Sequence, residues 1–202
     1  MKPVTTHTGV AVPFDRADVD TDLIIPARFL KRIERTGYGE FLFQSLRYLP
    51  DGSPNPEFVL NRPAYRDGTV LVAGRNFGCG SSREHAAWAL EDAGYRVVLA
   101  PSFGDIFRTN ATKTGMAPIV VAQDDLDRIK AALAERNELT VDLEALEIRH
   151  PDGLTVPFMF DEFARHNLLE GLDDIGLTLQ REDRIGAYEA AHAPRVDTLL
   201  LA

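Results

Sequence analysis

Apolar residues along the chain keep two different rhythms. Short aliphatic and β-branched runs at residues 9–12, 69–73, 96–100 and 118–122 show no alternation, which predicts strands buried on both faces. Between the later runs lie segments with helical spacing: Ala86-Ala87-Trp88-Ala89-Leu90 ahead of Gly94, residues 102–114 ahead of Gly115, and residues 124–137 with Leu126, Ile129 and Leu133 on one face. Strand, helix, strand, helix, strand predicts parallel pairing through right-handed crossovers. The rhythm then changes. Residues 139–143, 146–149 and 154–158, with Pro151-Asp152-Gly153 as a turn, predict an antiparallel strand group. From Asp161 onward the pattern is largely helical. With no repeat and no linker-like stretch, the 202 residues read as one α/β domain with a helical extension from about residue 161.

The richest chemistry sits where the second run meets its helix, in Arg75-Asn76-Phe77-Gly78-Cys79-Gly80-Ser81-Ser82-Arg83-Glu84-His85. Backbone N–H groups of a first helical turn have no internal partners and carry the positive end of the helix dipole, so an anion placed there is stabilised. Arg83 adds a forked cation that matches a carboxylate. A second reading of the same residues is a capping box, with Ser81 bonding the third helical amide and Glu84 reaching back. Both readings stand at this point. Two phosphate loops are excluded: no Lys follows the second glycine as the P-loop requires, and Arg83 stands where a dinucleotide fingerprint needs glycine.

Composition narrows the class. Net charge is −9, from 22 Lys+Arg against 31 Asp+Glu, which argues against nucleic-acid and anionic-membrane partners. The N-terminal residues lack the apolar core of a signal peptide, and no run approaches bilayer-spanning length. The only cysteine, Cys79, rules out an internal disulfide, and a cytoplasmic protein is the expectation.

Other features carry competing readings. Asp18-x-Asp20-x-Asp22 suggests a calcium loop, yet Leu23 and Phe29 stand where an EF-hand needs Gly and Glu; a turn with solvated carboxylates is the alternative. The basic segment 27–39, with Lys31, Arg32 and Arg35, is either a solvated helix face or a mobile loop hinged at Gly37 and Gly39. Residues 50–56, rich in Pro and Gly, predict a surface loop. His85 is a structural ring or a base, and Asn110 and Lys113 are motif-orienting, partner-facing or ordinary surface groups.

The string NFGCGSSREHA, with DVDTDLIIPARFLKRIERTGYG before it and APSFGDIFRTNATKTGMAPI after it, resembles the small-subunit family of 3-isopropylmalate dehydratases in the aconitase superfamily. The likeness runs over most of the chain and includes PNPEFVLN. It implies a single swivelling β/β/α domain that closes over an iron–sulfur domain on a separate large subunit, forming a heterodimer. The implied activity is hydro-lyase isomerisation of 2-isopropylmalate and 3-isopropylmalate through 2-isopropylmaleate in leucine biosynthesis. Related citramalate or homoaconitate hydro-lyases, and a non-catalytic carboxylate-binding module, are the alternatives. By motif match Ser81 is the base that removes the substrate carbon proton, Ser82 and Arg83 hold the substrate carboxylate, and Asp22 lies near the cleft. Lys31, Arg32 and Arg35 belong to the loop that selects the substrate side chain.

The 4Fe-4S cluster is expected on the large subunit, because such clusters need several thiolates and this chain offers Cys79 alone. No metal is expected here, and Cys79 is not a cluster ligand in the family. The acidic net charge repels a dicarboxylate at long range, so the groups that bind it must be local. Deprotonating a serine near the ~15.7 pKa of water costs on the order of 12 kcal/mol at neutral pH, whereas a helix terminus contributes at most ~2 kcal/mol. Ser81 therefore needs help from Arg83, from exclusion of water and from the partner.

Overall fold

Runs buried on both faces need cover on both sides, and the chain supplies it from different elements. The computed structural model describes residues 1–32 and 34–192. Among these, β1 (Thr6–Phe14), β2 (Gly68–Ala73), β3 (Val97–Ala100), β4 (Ala117–Val120), β5 (Glu138–Asp142), β6 (Glu147–Arg149) and β7 (Thr155–Pro157) form one sheet in the order β4-β3-β2-β1-β5-β6-β7. The helices are α1 (Thr21–Ile24), α2 (Gln44–Arg47), α3 (Glu84–Asp92), α4 (Asp105–Lys113), α5 (Gln123–Leu133), α6 (Glu162–Glu170), α7 (Asp174–Leu179) and α8 (Glu182–Ala191).

Strands β1 to β4 pair in parallel and β5 to β7 antiparallel. β1 joins the two halves: Thr6–Val10 runs against β5, while from Ala11 onward it lies in register with Val70 to Ala73 of β2. A register shift between Val10 and Ala11 marks the change. The expected α/β architecture is therefore present, with its parallel units, its antiparallel group and its helical C-terminal region.

Alternate side chains of β2 feed two separate cores. Leu71 and Ala73 join Phe14, Val98 and Ala100 against Leu90 of α3 and Phe107 of α4. Val70 and Val72 join Leu99 and Ile119 against Leu126, Ile129 and Leu133 of α5, and Val141, Ile148 and Val156 extend that layer. With both faces of the parallel half covered, alternation is lost there. It returns in β5, β6 and β7, whose inward residues are buried and whose neighbours are not.

Several boundaries differ from the sequence expectation for tertiary reasons. Residues 102–104 stay out of α4, because Ser102 O accepts from Phe77 N at 3.0 Å and Gly104 N donates to Phe77 O at 2.9 Å. α5 stops at Leu133, freeing Asn137, whose carbonyl accepts from Ala11 N and whose side-chain amide donates to Ala64 O at 2.7 Å. Within the expected acidic turn, Asp20 caps the short α1, its carboxylate accepting from Leu23 N at 2.7 Å. Residues 50–56 are a largely exposed loop, as expected.

Candidate functional site

The parallel strands β1, β2 and β3 all end at one edge of the sheet, and the segments leaving them meet there. The motif loop after β2 lies between the other two. On one side Gly78 N donates to Val19 O at 2.7 Å, Thr21 N donates to Cys79 O at 3.0 Å, and the Thr21 hydroxyl donates to Ser81 O at 2.7 Å. On the other, Phe77 pairs with residues 102–104 and sinks its ring, fully buried, against Phe103 and Phe107. Crevices outside the carboxyl ends of parallel strands are where open α/β sheets bind ligands.

Gly78 and Gly80 have φ of +73° and +86°, a region that favours glycine. At Gly78 a Cβ would also meet Phe107 Cγ at 2.2 Å. Gly78→Ala is therefore expected to destabilise the fold by about 2–5 kcal/mol, combining left-handed strain with overpacking. Urea unfolding checks this, and a loss below about 1 kcal/mol would mean that the loop shifts freely.

The capping box does not form. α3 begins at Glu84, its N-cap is Arg83 in extended conformation, and no side chain caps it. Ser81 lies too far upstream, held there by Thr21 through its carbonyl. Its side chain is exposed, as is that of Ser82, and among the described residues no group hydrogen-bonds the Ser81 hydroxyl. The first-turn amides of α3 are thus left without a side-chain acceptor, the condition an anion site requires.

Arg83 has a partner already. Its guanidinium makes two parallel bonds to Asp22, one of them Nη2 to Oδ2 at 2.8 Å. The Arg83 side chain is 14% exposed and that of Asp22 54%. The Arg83 hydrogen bond, ahead of other causes, lowers the Asp22 pKa below the ordinary carboxylate value. Two of the five guanidinium donors are taken, which leaves three for a ligand. The locally basic site expected from sequence is in fact balanced by an acidic neighbour, because the turn at residues 15–22 packs directly on the motif. Asp18 belongs to the same clamp, accepting from Asn76 Nδ2 at 2.9 Å.

Among the described residues the basic segment 27–39 forms no regular helix face: it holds the 3₁₀ turn Ala27–Phe29 and ends at Gly39, where a second one begins. Arg32 lies over Tyr38 and Phe41 and pairs with Glu34 at 3.5 Å. Arg35 stacks on Trp88 of α3 at 5.0 Å. Lys31 is exposed. Gly37 does adopt a left-handed φ of +81°. Gly39 is needed for space instead: a Cβ there would meet the Ala93 backbone at 2.8 Å, and Gly39 N donates to Asp92 Oδ2 at 3.0 Å. Of the three loop cations, Arg35 alone reaches α3, and none contacts Ser81, Ser82 or Arg83 in the described structure.

His85 packs edge-on to Tyr38 and lies 4.7 Å from Trp88, and burial is the main cause lowering its pKa. It behaves as a structural ring. Lys113 pairs with Asp174 at 2.9 Å, and Asn110 shares with Arg35, Glu84 and Trp88 a groove of about 440 Å³ beside α3.

Cys79 is partly exposed. Desolvation first, then Asp20 and Asp18, raises the pKa of its thiol, so it stays protonated near neutrality. Among the described residues no group of three or more His, Cys, Asp or Glu could hold a metal ion. The donor set of this chain does not fit an iron–sulfur cluster.

Sequence reasoning missed Thr21, 2% exposed, and the supports Asn76 and Ser102. The signal available was Thr21 between Asp20 and Asp22, a polar residue flanked by a cap and an ion-pairing carboxylate.

Known proteins are similar to this chain in sequence and in fold. Residues 1–124 match the aconitase C-terminal domain, and residues 174–198 match the C-terminal domain of the 3-isopropylmalate dehydratase small subunit. A 3-isopropylmalate dehydratase small subunit from Brevibacillus brevis is 54% identical over 192 residues, 94% of this chain and 99% of that one. A crystal structure of 3-isopropylmalate dehydratase from Methanocaldococcus jannaschii superposes with a TM-score of 0.68 at 26% identity, covering 91% of this chain and 99% of that chain. Among the described residues no helix is long and apolar enough to cross a membrane.

Proposed function

The chain belongs to the small-subunit family of 3-isopropylmalate dehydratases, hydro-lyases of the aconitase superfamily that act in leucine biosynthesis, and from that premise we propose how its own residues serve the reaction. The observation that carries the proposal is the contrast within one residue: the Ser81 carbonyl is fixed by buried Thr21 while its hydroxyl is exposed beside an uncapped helix terminus. In this reading Ser81 takes the substrate carbon proton. Ser82 and the remaining donors of Arg83 hold a carboxylate of the isopropylmalate, and the first-turn amides of α3 add fixed positive potential.

Among the described residues no group hydrogen-bonds the Ser81 hydroxyl to activate it. The ~2 kcal/mol available from a helix terminus falls far short of the deprotonation cost of on the order of 12 kcal/mol. A large subunit must therefore complete the site by closing over it, excluding water and acidifying the substrate proton. We place the 4Fe-4S cluster on that large subunit, as the poor donor set here supports. When bound there, the cluster supplies Lewis-acid chemistry at the substrate hydroxyl and carboxylate.

Asp22 has a definite part in this scheme. It holds the Arg83 guanidinium in plane before substrate arrives, so little side-chain entropy is lost on binding. Arg35, stacked on Trp88 beside Glu84, is the member of the loop cations best placed to meet a ligand at α3; Lys31 and Arg32 complete the proposed substrate loop. We read residues 1–202 as a single swivelling domain with a helical extension from about 161, working in the cytoplasm, where a lone thiol such as Cys79 stays reduced.

Reconstitution tests the reading. The purified chain is expected to carry no iron and to show no dehydratase activity. Addition of a cluster-bearing large subunit should produce turnover of 2-isopropylmalate and 3-isopropylmalate in preference to citramalate or homoaconitate. Stoichiometric iron and sulfide on the isolated chain, or a preference for another malate homologue, overturns it.

A further inference from the structure

Among the described residues the C-terminal helices bury little: α7 is tied to the rest of the fold at its start, by Lys113–Asp174, and α8 adds nothing to either core. Every residue of α8 is exposed, and neither α7 nor α8 contributes a buried side chain. A helix of ten residues is marginal in water when nothing packs on it, so another surface must support this one. The apolar groups it offers are large and grouped. Ile175 and Leu179, 70% and 58% exposed, stand four apart on one side of α7; Ile185 and Tyr188, 39% and 64% exposed, stand three apart on α8. Clustered exposed groups of this size mark interaction surfaces more often than scattered ones do.

The location of this face identifies its occupant. Ile175 and Asp174 line the same groove as Glu84, the residue following Arg83, and Trp88. The Lys113–Asp174 ion pair at 2.9 Å holds the start of α7 against α4, and Asp173, accepting from Gly176 N at 2.7 Å, caps that helix. Ser81 and Ser82 are exposed immediately ahead of that groove, and Arg83 is 14% exposed beside them. Because the start of α7 lines the groove that begins at Glu84, a chain that covers the exposed serines reaches α7 as well. The family matches divide in the same way. The aconitase-type match ends at residue 124, whereas residues 174–198 match a module specific to small subunits, the ones that must attach as separate chains.

We propose that α7 and α8 form the docking element for the large subunit, with Ile175, Leu179, Ile185 and Tyr188 seated in an apolar groove on that subunit. This rests on the family reading above. Glu182 and Glu189, three residues before and four after Ile185, flank one side of the α8 face, so the groove on the partner carries a basic rim there and association weakens as salt rises.

The test uses the full-length chain carrying Ile175→Asp and Leu179→Asp, titrated against cluster-bearing large subunit by sedimentation and by activity. Because both side chains are exposed, circular dichroism and the thermal midpoint of the isolated chain should match wild type. The dissociation constant of the complex is expected to rise about a hundredfold or more, the size of effect seen for central apolar contacts. Turnover at saturating large subunit should stay within about twofold of wild type, since neither residue touches the site, and Ile175→Val with Leu179→Met should bind normally. Unchanged affinity in the double Asp variant overturns the proposal while leaving the family reading intact. So does a wild-type chain that self-associates through this face, with the variant turned monomeric and its affinity for the large subunit unaltered. A wild-type chain that neither binds nor activates the large subunit removes the family reading and the docking proposal together.

Discussion

Ser81→Ala in the reconstituted enzyme is expected to lower kcat by about a thousandfold or more, the range lost when a positioned base is removed, with no loss of stability. The second half of that expectation comes from the structure. A capping serine replaced by alanine loses ~0.5–2 kcal/mol, but here Arg83 is the N-cap and Ser81 caps nothing. What Ser81 contributes to the fold is its carbonyl, bonded to the Thr21 hydroxyl at 2.7 Å, and alanine keeps it. Single-turnover kinetics beside denaturant unfolding separates the two roles. A folded, assembled variant that keeps more than a tenth of wild-type turnover would remove Ser81 from proton transfer.

Arg83→Lys is the second large effect, with kcat/KM expected to fall about a hundredfold, equivalent to about 2.7 kcal/mol of transition-state binding. An ammonium is a point charge and cannot hold Asp22 through two parallel bonds while presenting further donors in the same plane. Stability should change little. The ion pair is over half exposed on its Asp22 side, at 54%, and pairs of that kind contribute about 0–1 kcal/mol. Asp22→Asn sharpens the reading: it frees the guanidinium from its carboxylate without removing it, so KM should respond more than in an ordinary surface substitution. Wild-type kinetics in Arg83→Lys would return Arg83 to the role of a plain N-cap residue.

How much of this was legible in the chain depends on how local each cause is. The unbroken apolar run at Val70-Leu71-Val72-Ala73 announces a strand covered on both faces, and the structure covers it with two separate cores. The helical spacing of Leu126, Ile129 and Leu133 likewise places one face of α5 against the sheet. Such patterns are visible because burial acts on every third or fourth residue, or on each residue of a run, within one element. The single cysteine and the acidic balance, 31 Asp+Glu to 22 Lys+Arg, were equally plain: the first points to a cluster held on a second chain, the second away from nucleic acid and toward local groups for any anion.

The site was legible only in its ingredients. Glycines, serines and an arginine ahead of a helix predict both an anion shelf and a capping box, and local spacing cannot separate them, since both begin from the same unsatisfied amides. The decision is tertiary: the segment at residues 15–22 packs on the motif, Thr21 draws Ser81 back from the helix, and Arg83 becomes the N-cap. That packing brings Asp22 onto Arg83 across sixty-one residues of chain, a pairing that no periodicity encodes. It also sets Gly39 against the backbone at Asp92 and Ala93, where a side chain would not fit. The sequence by itself determined the strand and helix types, the two-sided burial of the parallel half and the chemistry of the motif, because these follow from nearest-neighbour geometry and side-chain type. Only the tertiary structure decided which serine atoms are fixed and which are free, and what Arg83 holds. It alone showed that α7 and α8 bury no side chain among the described residues, because these depend on which distant segments meet at one end of the sheet.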